Sequence, residues 1–303
     1  MNKERYTMKN FKKLAAFALA ATMSLGLLTA CGGGTTGTTE TPANTETPAS
    51  TESTAPETET PAADGTFTTV EDGKLIMSTN ATFPPYEMVA DGDGVNGSGY
   101  EGIDIEIAYA LADKLGLELV IDDMDFDAAL LAVQNNSADM MLAGLSYSEE
   151  RDEVVDFSDP YATGVQVVIV KEGSDVTLDN LGDYMIGTQR GTTGYLYASD
   201  TPENGGYGED HVIGYDSGVT AVQELINGTI DAVIIDKQPA EAYVAANPDA
   251  GLTILPGNWV EEDYCLAVDE GNTALLNALN TALNELKSDG TLDEIVAKYI
   301  NAE

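Results

Sequence analysis

The chain has 303 residues, enough for one large domain or two ordinary lobes, and its formal net charge is −39. So large a negative charge excludes nucleic acid and anionic membrane surfaces as electrostatic partners. Its single histidine, His211, excludes histidine-based catalytic triads and multi-histidine metal sites.

In chain order, Lys3, Arg5, Lys9, Lys12 and Lys13 precede an apolar stretch from Leu14 to Leu28, which ends in Leu28-Thr29-Ala30-Cys31. A basic region, a short apolar region and a small-residue cleavage site make residues 1–30 an export signal. Fifteen residues are short for a permanent span; an uncleaved anchor helix is the alternative. Cysteine directly after the small residues resembles a bacterial lipobox, which implies acylation of Cys31. The other cysteine, Cys265, lies in the run Tyr264-Cys265-Leu266-Ala267-Val268, which reads as a buried strand, so no disulfide framework is expected. Residues 31–66 are rich in Thr, Glu, Pro and Ala and carry no basic residue, the composition of a disordered tether.

Beyond the tether, apolar runs alternate with helical patterns, which predicts an α/β architecture with mainly parallel sheets. The expected strands are 74–79, 118–121, 140–143, 166–170, 185–188, 212–215 and 232–235. Ile103, Ile107, Ala110, Leu111 and Leu115 fall on one helical face, as do Val219, Val222, Leu225 and Ile226. Helices over 273–287 and 292–299 close the chain. The stretches Asn136-Ser137-Ala138-Asp139 and Gly228-Thr229-Ile230-Asp231 each join a helix containing Ala-Val-Gln to an apolar strand. A repeated helix-turn-strand unit points to two lobes of similar construction, with a ligand cleft where strand ends converge.

Three motifs are decoys. Gly92-Asp93-Gly94-Val95-Asn96-Gly97 matches a dinucleotide fingerprint, but Asp91 and Asp93 would repel a pyrophosphate and no helix opens there; it reads as a turn. Asp122 to Asp127 imitates a calcium loop, yet Ala128 replaces its glycine and Gln134 its final glutamate. No Walker sequence occurs, so the chain is not an ATPase.

Two arginines follow the signal, Arg151 and Arg190, and arginine suits the bidentate grip of a carboxylate. Arg151 follows Ala143-Gly144-Leu145-Ser146; Gly191-Thr192-Thr193-Gly194 follows Arg190. Ser146 or Ser148 is placed to cap a short helix, with Glu149 at capping-box spacing from Ser146. Threonines 192 and 193 make a similar helix start, and both starts are suited to anions. For Arg151 the alternative is a surface ion pair with Glu149, Glu150, Asp152 or Glu153.

The order of Thr82-Phe83-Pro84-Pro85-Tyr86-Glu87, Gly102-Ile103-Asp104-Ile105-Glu106, Phe126-Asp127-Ala128, Ala143 to Ser146, Ser148 to Arg151, Asp156 to Tyr161, Gly191 to Gly194 and Ile230 to Asp236 resembles bacterial extracellular solute-binding proteins of the polar-amino-acid type. These are capture components of ABC importers. The resemblance implies a two-lobed, periplasmic-binding-protein-like type II fold, with lobe 1 at 67–163 and 265–303 and lobe 2 at 164–264. It implies that Arg151, Ser146 and backbone near Gly144 and Thr193 hold an α-carboxylate, with Thr192 beside them. Asp236 would receive the α-ammonium, and Phe83 and Phe126 would flank the side chain unless they are core residues. Asn80 and Gln189 would line the side-chain pocket, and their lack of charge favours a neutral polar amino acid. Further implications are no catalysis, no cofactor, no metal, a permease partner, a lipid anchor and a monomer. Presentation to a membrane sensor, or dehydratase chemistry on the same scaffold, are the alternatives. Hinges are expected at 162–165 and 263–266.

Overall fold

The computed structural model describes residues 67–300. The export signal, Cys31 and the rest of the tether lie outside the described residues. In chain order come β1 (Lys74–Thr79), β2 (Thr82–Phe83), β3 (Glu87–Val89), β4 (Tyr100–Glu101), α1 (Ile103–Leu115), β5 (Glu118–Asp123), α2 (Phe126–Gln134), β6 (Met140–Met141) and β7 (Val155–Phe157). They are followed by β8 (Ala162–Lys171), β9 (Ile186–Gln189), α3 (Thr193–Ser199), β10 (Val212–Tyr215), α4 (Gly218–Asn227), β11 (Ala232–Asp236), α5 (Lys237–Ala246), β12 (Leu252–Ile254) and β13 (Val260–Tyr264). The last elements are β14 (Ala267–Asp269), α6 (Thr273–Asp289) and α7 (Thr291–Tyr299).

Two main sheets carry the two lobes. The first has the order β5-β1-β6-β14-β7, the second β10-β9-β11-β8-β12, with β13 also paired to β8. Alternation along the central strands explains how each sheet is covered on both faces. In β1, Leu75 and Met77 pack with Ile103, Ile107 and Leu111 of α1, whereas Ile76 packs with Ala129 and Val133 of α2. In β8, Val168 and Val170 join Ala198 of α3, whereas Val167 and Ile169 face Ala221, Val222 and Leu225 of α4. Val219, expected on that buried face, is exposed at the first turn of α4.

The repeated loops play matching roles. Asp139 N–H donates to the Ile76 carbonyl (2.8 Å), and its carboxylate accepts from Ile76 N–H (2.7 Å) and Val70 N–H (2.7 Å). Asp231 does the same at the head of β9: its N–H donates to the Met185 carbonyl (2.8 Å) and its carboxylate accepts from Met185 N–H (3.0 Å). Each aspartate thus ties the turn before one strand to the start of its neighbour. Asp139 is buried and Asp231 exposed, so Asp139→Ala should destabilise by about 1–3 kcal/mol and Asp231→Ala by less. Equal urea midpoints for the two variants would refute this ranking.

The chain leaves the first sheet after Phe157 and enters the second at Ala162; it returns between Tyr264 and Ala267. The first crossing therefore lies at Ser158–Tyr161, not at 162–165, because Ala162 to Val165 already pair with β13. Pro160 in this stretch has no N–H to offer a ladder. The run 264–268, expected as one strand, is likewise split: Cys265 and Leu266 form the return crossing, and Cys265 is a buried free thiol. The crossings are bonded to each other, with Ser158 N–H to the Leu266 carbonyl (3.0 Å) and Tyr161 N–H to the Tyr264 carbonyl (2.8 Å).

The decoy readings resolve as local structure. Gly92 to Gly97 is a loop joining the antiparallel strands β3 and β4. Asp122 and Asp123 end β5, and Asp125 precedes α2. Among the described residues no group of acids, histidines and cysteines could hold a metal.

Candidate functional site

All ten expected residues, Asn80, Phe83, Phe126, Gly144, Ser146, Arg151, Gln189, Thr192, Thr193 and Asp236, line one pocket between the two sheets. Strand ends and helix starts deliver them. Asn80 follows β1, Phe126 opens α2, Gln189 ends β9, Thr192 caps α3, and Asp236 ends β11.

Arg151 begins a short helical turn, Arg151–Glu153, and its N–H donates to Ser148 Oγ (3.2 Å). Ser148, rather than Ser146, is therefore the residue that holds this turn. The guanidinium is buried, with only 5% of the residue exposed. It donates from Nη1 to the Ser146 carbonyl (2.6 Å) and from Nη2 to the Gly191 carbonyl (2.9 Å). Its carbon stands 5.5 Å from the Phe126 ring centroid, within cation–π range. Glu149, Glu150, Asp152 and Glu153 stay exposed, and among the described residues none forms an ion pair with Arg151. Burial lowers the guanidinium pKa, and the nearby Glu262 carboxylate is the largest opposing influence. Arg190 has the opposite fate, an exposed ion pair with Asp216 at 2.9 Å.

Asp236 lines the pocket at the end of β11, 8% exposed, and its Oδ1 has no hydrogen-bond partner. Burial pushes its carboxyl up to about 7; the neighbouring Tyr264 hydroxyl partly counters that and the charge of Glu262 adds to it. An unpartnered, acceptor-only oxygen aimed into a pocket suits a cationic donor. Asn80 and Gln189 meet across the pocket: Gln189 Nε2 donates to Asn80 Oδ1 (2.9 Å), and Asn80 Nδ2 donates to the Met124 carbonyl (2.8 Å).

Gly144 serves the pocket by its shape. Its φ of +54° is left-handed, and a Cβ there would lie 2.7 Å from the Phe83 ring. Its N–H, however, donates to Asp104 Oδ2 (2.8 Å), which also accepts from the Tyr161 hydroxyl (2.7 Å). This backbone donor is spent behind the pocket and is not free for an anion, contrary to expectation. Thr192 is also turned inward on its own chain, with Oγ1 donating to the Gln189 carbonyl (2.8 Å).

Three polar residues join the site unforeseen. Glu87 lines the pocket and is fully buried; burial and the adjacent Asp104 raise its pKa well above the carboxylate range. Gln166 donates from Nε2 to Thr193 Oγ1 (2.9 Å) and to Glu262 Oε2 (2.9 Å). Glu262 Oε2 further accepts from Thr193 Oγ1 (2.6 Å) and Ser146 Oγ (3.0 Å). The acid run 261–263 has the look of a solvated edge. Period-two alternation carries the missed signal: Glu262 and Tyr264 share the buried face of β13, while Glu261 and Asp263 are exposed.

Comparison with known proteins accords with this architecture. The chain is 32% identical over 232 residues to the arginine-binding extracellular protein ArtP of Bacillus subtilis, covering 76% of this chain and 87% of that one. It is 30% identical to the L-cystine-binding protein TcyJ of Escherichia coli K12, covering 77% and 85%. Among solved structures, an ancestral arginine-binding protein bound to arginine matches with a TM-score of 0.68 and 39% identity, over 76% of this chain and 99% of that one. Residues 75–302 match the model for bacterial extracellular solute-binding proteins, family 3, and the chain belongs to that family.

Proposed function

We propose that the chain captures an L-α-amino acid outside the cytoplasm and delivers it to the permease of an ABC importer, held to the membrane by a lipid on Cys31. One observation carries this reading. A buried cation, Arg151, and a buried carboxylate with one unpartnered oxygen, Asp236, face one pocket in a member of a solute-binding family. A zwitterion satisfies both, its carboxylate drawn by Arg151, Ser146 and Thr193 and its ammonium by Asp236. Phe83 and Phe126 then flank the side chain, with Asn80 and Gln189 at its end. The lobes close about the paired crossings, 158–161 and 265–266.

A neutral polar side chain follows from the uncharged amides of Asn80 and Gln189, which offer donors and acceptors alike. A cationic side chain is the second reading, favoured by the two aromatic rings, Phe83 and Phe126, in the pocket wall. Thermal-shift measurements with the twenty amino acids and cystine, followed by calorimetry, separate the readings. The cognate ligand at 100 times its Kd stabilises by about 2.7 kcal/mol. A largest shift with glutamine supports the neutral reading and one with arginine the cationic; a panel without any shift would refute amino-acid capture.

A further inference from the structure

The donors expected to grip a carboxylate already grip one that belongs to the protein. Ser146 Oγ comes from the first lobe and Thr193 Oγ1 from the start of α3 in the second, and both donate to the same oxygen, Glu262 Oε2, at 3.0 and 2.6 Å. Gln166 adds a third donor at 2.9 Å. A hydroxyl has a single proton to give, so a serine and a threonine bonded to Glu262 turn only lone pairs toward any other acceptor. Glu262 is also the strongest negative influence on Arg151. Its position explains how it reaches both sides: it lies two residues before Tyr264, where β13 passes into the return crossing, and Tyr264 bridges directly to Ser146. Meanwhile Arg151 is engaged by the carbonyls of Ser146 and Gly191, one from each lobe.

We infer that Glu262 is an internal stand-in for the ligand carboxylate, a latch whose oxygen draws the hydroxyls of both lobes together and which an incoming amino acid must displace. This inference rests on the amino-acid reading for its ligand, though not for the latch itself. The closed, self-satisfied arrangement then competes with binding, and apparent affinity is reduced by the fraction of molecules held in it. A cationic group cannot substitute for Glu262 here, because three donors converge on one oxygen and need an acceptor.

The test combines scattering and calorimetry on the soluble chain lacking its signal, comparing wild type with Glu262→Ala and Glu262→Gln. Without amino acid, Glu262→Ala should shift to a larger radius of gyration, and Glu262→Gln should shift less because its amide oxygen still accepts. With L-glutamine and L-arginine as probes, Glu262→Ala should bind whichever one wild type binds about fivefold more tightly, as removal of a competing closed state requires. An unchanged radius in both variants would overturn the latch, and so would unchanged or weaker affinity in both. If wild type binds neither probe, amino-acid capture by these ligands fails, while the scattering comparison still decides the latch. Circular dichroism checks folding; should Glu262→Ala be unfolded, the isosteric Glu262→Gln decides with the same signs.

Discussion

Arg151→Ala should abolish detectable amino-acid binding while leaving a folded protein. The guanidinium is buried at the junction of both lobes, donating to one carbonyl from each, and its deletion removes the only cation among the residues lining the pocket. A ligand carboxylate entering that site would then be desolvated beside Glu262 and Asp236 with no compensating charge. Truncating one partner of a buried, hydrogen-bonded charge pair costs on the order of 2–5 kcal/mol. That weakens affinity by roughly 30-fold to several-thousand-fold. Arg151→Lys should rescue little, because a single ammonium cannot reproduce the planar fork that spans Ser146 and Gly191 while meeting a carboxylate. Calorimetry with the best amino acid from the panel reads the loss, and a thermal melt monitored by circular dichroism checks the fold. A Kd in Arg151→Ala within twofold of wild type would rule out the carboxylate clamp.

The contrast between Arg151 and its surroundings shows what kind of information a sequence holds. Strand and helix periods located the central elements well: β1 and β10 fall at 74–79 and 212–215 as expected, and both terminal helices extend the predicted ranges by a residue or two. These elements are legible because the central strands show as short apolar runs and each helix writes its buried face in a local repeat of 3.6. All ten expected site residues also share one pocket, since they sit at strand ends and helix starts that converge in an open α/β sheet. What local patterns omit is the identity of the group facing each side chain. Glu149, Glu150 and Asp152 adjoin Arg151 in sequence yet point to solvent, whereas Glu262 lies 116 residues from Ser146 and shares its hydroxyl. Gly144 is expected to lend its backbone to an anion, but the capture of its N–H by Asp104, 40 residues earlier, is not legible in the sequence. The first crossing lies before the expected 162–165 for the same reason, since the sequence does not reveal that this stretch pairs with β13, whereas the return at 265–266 falls within the expected 263–266.

Asp236→Asn should cost a comparable 2–5 kcal/mol of affinity and should also remove a pH dependence. Burial raises the Asp236 carboxyl to about 7, with Glu262 reinforcing the shift, so at neutral pH it is partly protonated before a ligand arrives. For a carboxyl raised in the folded state, the sign for stability is fixed. Its contribution is fully present below the ordinary carboxylate range and is lost as pH rises through about 7. Amino-acid binding has the opposite sign, because the ligand ammonium needs the ionised form. Affinity of the wild type should therefore fall as pH is lowered from about 7, and complex formation there should release a proton. Glu87 and Asp104 form a second buried acid pair nearby, with Asp104 raised to about 6, and they remain in the variant. The difference between wild type and Asp236→Asn thus isolates Asp236 from that pair. Calorimetry at pH 6.5 in two buffers of unlike ionisation enthalpy measures the proton directly. Equal heats in both buffers for wild type, or proton release that persists unchanged in Asp236→Asn, would show that the ammonium is received elsewhere.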